Sequence, residues 1–313
     1  MLILGEVHTC LLRSSNRLSR QAVIDLLGIK PGQQVLVSER PVNRSVSPEV
    51  LVGVDCRLAT DPQVKARGIG TVAVHAVVTG GLVLQSSARS HVARAEANQR
   101  KAWSAYAARP GVIDAISKAS VAQLAQGHRN DVVDSTLLDL GSVSEYLIGR
   151  IQRRPQLDHK ITIRFRPTRL RWTATVGDWA ESTVRLHVDS EVLRTVELVL
   201  PERLMPYAER FCEDLALHDW LITALGAAVD LADRELAEGS NPIKILAAAL
   251  ERLIHLWMPG AHVDPTMRPL WDGLESRPGF TLQWNAQVAR IRDLLQIRTL
   301  EALQHTPRQD ASW

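Results

Sequence analysis

The spacing of hydrophobic and polar positions divides the chain into four successive parts, and the pattern of the first part predicts strands. Residues 71–79 are β-branched almost throughout, and Gly80-Gly81 separates them from the apolar run at 82–85. A glycine pair between two such runs is typical of a β-hairpin. Most of the chain up to about residue 90 has this character, apart from a short helical pattern at 19–27.

Helical spacing replaces the strand pattern in the next part of the chain. Residues 93–108 are rich in alanine and charged side chains, and residues 112–125 repeat apolar positions every three to five residues. A third helix is expected at 142–152, where Ser142 and Glu145 have the spacing of a capping box.

Strand-like alternation then returns at residues 160–166, 183–188 and 195–200, and a second helical part begins at about residue 203. One apolar stripe of that part consists of Phe211, Leu215, His218, Ile222 and Leu225. Strands followed by helices, twice over, predict an α+β fold rather than a doubly wound sheet.

The same pattern divides the chain into two predicted domains. The strand-rich N-terminal half is a mixed α+β domain, residues 1–200, with strands at about 1–90 and 158–200 and helices at about 92–153. A helical C-terminal domain spans residues 203–305, and a flexible tail follows at 306–313.

Composition narrows the class of protein without identifying a partner. The chain has 313 residues, of which 45% are hydrophobic and 23% charged, and this balance is typical of a globular protein with a sizeable core. Cys10, Cys56 and Cys212 lie far apart and form no Cys-x-x-Cys pair, which fits a reducing cytoplasm. The richest apolar stretch, around 215–232, is interrupted by charged residues, so we expect no membrane span.

The chain contains no motif of a known catalytic or cofactor-binding class. Gly68-Ile69-Gly70 lacks the third glycine of a dinucleotide loop, and Gly80-Gly81 is not followed by the Lys-Ser/Thr pair of a P-loop. There is no nucleophile elbow, His-Glu-x-x-His motif or EF-hand loop. We therefore predict no cofactor and no metal, and the absence of these motifs favours a protein without enzymatic activity.

Two carboxylate–histidine pairs are the candidates for acid–base or metal chemistry. Asp214 and His218 lie four positions apart on one predicted helix, and Glu251 and His255 lie four apart on the next. This spacing places both side chains on one helix face, where a carboxylate can orient the imidazole or share a metal ion with it. The apolar stripe that contains His218 favours instead a hydrogen-bonded core histidine.

A basic run is the candidate for anion or nucleic-acid binding. Arg164 and Arg166 share one face of a predicted strand, and Arg169 and Arg171 extend the row, with Phe165 and Trp172 between them. Guanidinium groups on one strand face suit contacts with phosphate or nucleic acid. The alternative is a solvated sheet face, or a row that pairs with the acids of another domain.

The chain has eight tryptophans but only three phenylalanines and three tyrosines. Trp220 and Trp257 have core spacing on predicted helices, whereas we expect Trp271 and Trp284 at the surface. Exposed tryptophans are enriched in the energetically dominant centres of protein interfaces.

Several segments of the chain carry a family resemblance, at residues 70–72, 78–87, 103–112, 210–220, 255–261, 277–280 and 288–293. In these segments the sequence resembles an uncharacterised actinobacterial protein family to which no activity is assigned. The resemblance implies a gene cassette whose other products include a P-loop NTPase with a variant phosphate loop and a methyltransferase-like protein. It implies no catalytic residue.

We therefore expect a non-enzymatic interaction or accessory component of a multi-protein bacterial system, with the P-loop NTPase as its partner. The alternative is a nucleotide- or nucleic-acid-binding protein that clamps phosphate with the arginine row (164–171) and uses Asp214 and His218 as an acid–base or metal site. That alternative requires the two groups to converge on one cleft. An exposed patch that contains tryptophan would favour the interaction component.

Overall fold

The structure is a computed structural model that describes residues 1–60, 64–96, 99–130, 134–160, 165–237 and 243–304. The strands in these ranges are β1 (Leu2–Leu11), β2 (Leu36–Ser38), β3 (Arg44–Val46), β4 (Val50–Arg57), β5 (Ala66–Thr79), β6 (Val83–Arg94), β7 (Val112–Ser117), β8 (Thr168–Gly177), β9 (Thr183–Val188) and β10 (Leu193–Pro201). The helices are α1 (Arg20–Leu27), α2 (Trp103–Ala107), α3 (Val121–Arg129), α4 (Leu140–Gln152), α5 (Ala208–Ala237), α6 (Ile243–Leu253), α7 (Arg268–Ser276) and α8 (Phe280–Gln304).

The strands form one sheet in the order β2-β3-β5-β7-β6-β1-β8-β10-β9, with β4 beside β5 and a direct pairing of β5 with β6. β5 and β6 are joined by Gly80 and Gly81, whose φ angles of 60° and 67° confirm the predicted hairpin turn. β1 pairs antiparallel with both β6 and β8, so it joins the two predicted strand regions into a single sheet. The predicted α+β fold class is confirmed.

Helices cover both faces of this sheet. On one face, Leu2 and Leu4 of β1 pack with apolar residues of α1, α3 and α4, and we call this the α4 face. On the other, Ile3 and Val7 pack with α5 and α7, and we call this the α5 face. Because side chains alternate along a strand, neighbouring residues of β1 contribute to different cores.

The helix α5 is the longest in the described chain and lies against β1, β6 and β8. Its second half packs with α6 and α8 around Trp220, Leu225 and Trp284. The segment Glu202–Glu235 is long and apolar enough to cross a membrane, but 67% of its most apolar window is buried inside the fold, as in the core helix of a soluble protein. A separate helical domain at 203–305 stays a prediction, and the predicted tail at 306–313 lies outside the described residues.

Two of the predicted helices are wrong in type or extent. Val112–Ser117 is the strand β7, which pairs with both β5 and β6, and helix α3 begins only at Val121. The helix predicted at 93–108 is shorter than expected, because β6 continues to Arg94 and α2 covers only Trp103–Ala107. Pairing with long neighbouring strands supplies hydrogen bonds that local spacing does not reveal, and it overrides a helical pattern.

The third helix is correct, but its predicted cap is not. α4 begins at Leu140, and the side chain of Asp139 accepts a hydrogen bond from the backbone N–H of Ser142 at 3.0 Å. Ser142 therefore lies inside the first turn. A complete capping box is instead formed by Ser120 and Gln123 at the start of α3.

The centre of the sheet contains a close contact between a backbone and an aromatic ring. Gly5 of β1 is directly opposite Trp172 of β8 in the strand register. The indole ring covers the glycine so closely that a Cβ atom at Gly5 would lie 2.1 Å from Cε2 of Trp172. Only glycine fits at this position without moving the buried ring.

We expect Gly5→Ala to lower the free energy of unfolding by about 2–3 kcal/mol, because the added methyl group overpacks the core. Gly53→Ala in β4 is the matched control, since its Cβ would lie 3.5 Å from the Trp103 ring, an ordinary contact. That change should cost less than about 1 kcal/mol. Urea denaturation of the two variants checks this, and equal losses would contradict the proposed close contact.

Candidate functional site

The predicted arginine row does not form one continuous strand surface. Arg164 lies outside the described residues, and β8 begins only at Thr168. Arg166 precedes the strand and is exposed, with its guanidinium Nη1 atom 2.7 Å from the carboxylate of the equally exposed Glu191. A solvated pair of this kind contributes little to stability.

Arg169 and Arg171 point to the α4 face, where both bind the carboxylate of Glu6. Nη2 of Arg169 is 2.6 Å from Oε1 of Glu6, and Nε of Arg171 is 3.2 Å from Oε2. The side chain of Glu6 is only 1% exposed, and Nε2 of His8 lies 3.3 Å from its Oε1 atom. The second half of the predicted row is therefore part of a buried ion-pair network.

The charges around Glu6 determine its ionisation. Burial alone would raise its pKa, but the hydrogen bond from His8 and the charges of Arg169 and Arg171 lower the pKa to about 2. A cavity of about 590 Å³ adjoins this network at the start of α4. His128 also lines the cavity, and burial lowers its pKa to about 4, so it is neutral near pH 7.

Asp214 and His218 are neighbours on α5, as predicted, but they face the protein core. Nδ1 of His218 is 2.7 Å from the backbone carbonyl oxygen of Asp214 and 3.6 Å from its carboxylate, so the ring N–H donates to the backbone. The ring packs edge-on against Trp257 and Trp271. The carboxylate of Asp214 accepts a hydrogen bond from the N–H of Gly260, which holds the loop that contains Gly260 against α5.

The side chains of Glu251 and His255, the second predicted pair, do not interact with each other. Glu251 is exposed on α6, whereas His255 is half-buried in the 3-10 turn Ile254–Leu256 that follows this helix. The described residues contain no ion pair between these two side chains. Burial and the charge of Arg17 lower the pKa of His255.

The two groups that the nucleotide-binding alternative requires lie on opposite faces of the sheet. Arg169 and Arg171 contact Glu6 and the backbone of Asn130 on the α4 face. Asp214 and His218 lie in α5 on the other face. A ten-stranded sheet separates them, so they form no common cleft.

A further polar cluster, which sequence reasoning missed, lies between α5 and the sheet. Nε2 of His75 in β5 is 2.6 Å from Oε1 of Glu213, and Glu213 also pairs with Arg44 of β3. Arg89 of β6 pairs with Glu209, one turn before Glu213. The signal in the sequence was the pair Glu209 and Glu213. These residues are four positions apart, so they lie on one face of α5, the face that packs against His75.

The carboxylates also control the charge of His75. Burial by itself would lower its pKa, but the charges of Glu213 and Glu209 outweigh burial and raise the pKa to about 9. Burial likewise opposes ionisation of Glu213, yet the charges of His75 and Arg44 lower its pKa to about 2. The protonated ring of His75 and the ionised carboxylate of Glu213 therefore form a salt bridge at neutral pH.

The exposed tryptophans differ from those predicted. Trp271 and Trp284 are buried, because α7 and α8 fold back against α5. Trp103 of α2 and Trp179, after β8, are exposed instead, with 43% and 45% of their surfaces accessible.

Trp103 belongs to a surface that also contains Leu51, Gly53 and Arg100, and we call these four residues the Trp103 surface. The Trp103 ring lies over Gly53, and the guanidinium of Arg100 lies 5.2 Å from the ring centroid. Leu51 is exposed on the same side of β4 as Gly53. An aromatic ring next to an apolar side chain and a cation is typical of an interface centre.

No family model, curated protein or solved structure matches the chain.

The buried carboxylate of Glu6 makes stability depend on pH in acid. Because its pKa falls from an ordinary 4.5 to about 2 on folding, the ionised form contributes about 3 kcal/mol above pH ~4.5, and this contribution is lost as the pH falls towards 2. Glu6→Gln should therefore lower the free energy of unfolding by about 3 kcal/mol at pH 7 and by progressively less below pH ~4.5.

Urea denaturation at neutral pH and at two acidic pH values measures this difference. Glu191→Gln, which alters the exposed pair with Arg166, should match the wild type at every pH. If the free energies of unfolding of wild type and Glu6→Gln differ by the same amount at every pH, the folded protein does not depress the pKa of Glu6.

Proposed function

We propose that this protein is a non-enzymatic interaction component that binds a partner protein through the Trp103 surface. The proposal rests on the exposure of Trp103 beside the outer edge of β4, which faces away from β5. Along that edge, no described residue hydrogen-bonds to the backbone between Leu51 and Asp55. An unpaired strand edge and an exposed aromatic ring are the two elements that strand-addition interfaces use.

The alternation of backbone groups identifies the free edge of β4. At one end of the strand, the N–H of Arg57 donates to the carbonyl oxygen of Thr136, at 2.9 Å, on the side away from β5. Backbone groups two residues apart point the same way, so those of Leu51, Gly53 and Asp55 also point outward. An extended segment of the partner can hydrogen-bond to these groups while its side chains contact Trp103.

The charge around this edge favours an acidic segment. Arg57, Lys65, Arg67 and Arg100 surround Asp55, which pairs with Arg67 at 2.8 Å and with Arg100 at 3.7 Å. Among the described residues around this edge, the four cations outnumber the acids even when Asp134, which pairs with Arg57, is counted beside Asp55. A partner strand with carboxylates would complement this charge and associate faster at low salt.

The identity of the partner rests on the family resemblance. The P-loop NTPase of the same gene cassette is the protein that we propose to bind here. The alternative function, nucleotide or nucleic-acid binding, loses its main support because Arg169 and Arg171 are separated by the sheet from Asp214 and His218.

We expect Trp103→Ala to weaken binding of the purified NTPase by about 30-fold, or ~2 kcal/mol, because an exposed aromatic ring at an interface centre contributes energy of that order. Isothermal titration calorimetry of the two purified proteins measures the Kd. Leu51→Pro should also weaken binding, because it removes an outward N–H without removing a hydrogen bond to β5.

Trp179→Ala is the matched control, since Trp179 is equally exposed but follows β8, which lies towards the opposite edge of the sheet from β4. It should leave the Kd unchanged. The proposal is wrong if the NTPase does not bind the wild-type protein, or if Trp103→Ala and Trp179→Ala bind it equally well.

A further inference from the structure

Three side chains on the α5 face have the composition and the proximity of a metal site. One ligand atom each of Glu49, His75 and Glu209 lies within 4.8 Å of the other two. Within the described parts of the chain, no second group of three histidine, cysteine, aspartate or glutamate side chains comes so close. We propose that Glu49, His75 and Glu209 bind one divalent first-row transition metal ion.

The distance between His75 and Glu209 is that of two ligands sharing an ion. Nδ1 of His75 is 3.7 Å from Oε1 of Glu209, which is too long for a hydrogen bond. Two ligand atoms that each lie about 2.1 Å from a tetrahedral ion are about 3.4 Å apart. The side chains therefore need only a small shift to coordinate the same ion.

The other ring nitrogen of His75 is held as it is in many metal sites. Nε2 lies 2.6 Å from Oε1 of Glu213, which in turn is fixed by its ion pair with Arg44. A carboxylate that accepts the second ring N–H of a ligand histidine fixes the ring and increases its basicity. His75 is more than nine-tenths buried, so Nδ1 stays directed towards Glu209.

Arg89 lies where the cluster opens to solvent. Its guanidinium bridges Glu209 and Glu49, at 2.5 Å from the latter, and both Arg89 and Glu49 are partly exposed. An ion entering beside Glu49 repels the guanidinium, which moves outward, and the proton on Nδ1 leaves to solvent. Three protein ligands then leave one position for water, as in open zinc sites.

One imidazole nitrogen and two carboxylates form a mixed donor set. Such a set suits Zn²⁺, Fe²⁺ or Mn²⁺ better than Ca²⁺, which prefers six or more oxygen ligands. The proposed ion is thus a transition metal, and it does not depend on the partner-binding function proposed above.

Titration of the full-length protein with Zn²⁺ and with Co²⁺ tests the site, by calorimetry and by the visible absorption of bound Co²⁺. We expect one ion per chain. His75→Asn should weaken binding at least about tenfold, and so should Glu49→Gln, whose partly exposed side chain the fold tolerates. His128→Asn changes a buried histidine on the α4 face and should bind as the wild type does.

Two results would overturn the proposal. One is the absence of stoichiometric binding of Zn²⁺ and Co²⁺ by the wild-type protein up to about 1 mM. The other is wild-type affinity in both His75→Asn and Glu49→Gln, since the bound ion would then lie elsewhere.

Discussion

The ion pairs of Glu6 with Arg169 and Arg171 are the constraint on which the arrangement of the sheet depends. β1 is covered by helices on both faces, and an unpaired carboxylate in such a position is too costly to bury. Because the two arginines come from β8, the neutralisation of Glu6 requires β8 to pair with β1 in one register. That pairing joins the two strand-rich parts of the chain, and it also places Trp172 over Gly5.

The α5 face repeats this arrangement with different residues. Glu209 and Glu213 of α5 reach cations that come from three strands, His75 of β5, Arg44 of β3 and Arg89 of β6. These pairs fix how far along the sheet α5 lies, which apolar packing alone specifies weakly. Since such a cluster also concentrates carboxylates around a buried imidazole, the same residues that position α5 have the chemistry of a cation site.

The proposed partner-binding surface differs from the polar groups that are paired inside the fold. Arg169 and Arg171 pair with Glu6, while Asp214 accepts a hydrogen bond from Gly260 and His218 donates one to the backbone of α5. At the Trp103 surface the ring is exposed, and no described residue hydrogen-bonds to the backbone along the neighbouring edge of β4 between Leu51 and Asp55. Exposed hydrophobic groups of this kind carry a cost that a binding function would offset.

The sequence by itself determined the fold class, the hairpin at Gly80 and Gly81, the strand Thr183–Val188 and the helical character of the C-terminal part, because each depends on local periodicity or on a glycine with positive φ. Only the tertiary structure decided that Val112–Ser117 is a strand, that Trp271 is buried and Trp103 exposed, and that Glu49, His75 and Glu209 meet. Those outcomes depend on contacts between residues far apart in the chain, and local spacing contains no information about which distant strand or helix will supply them.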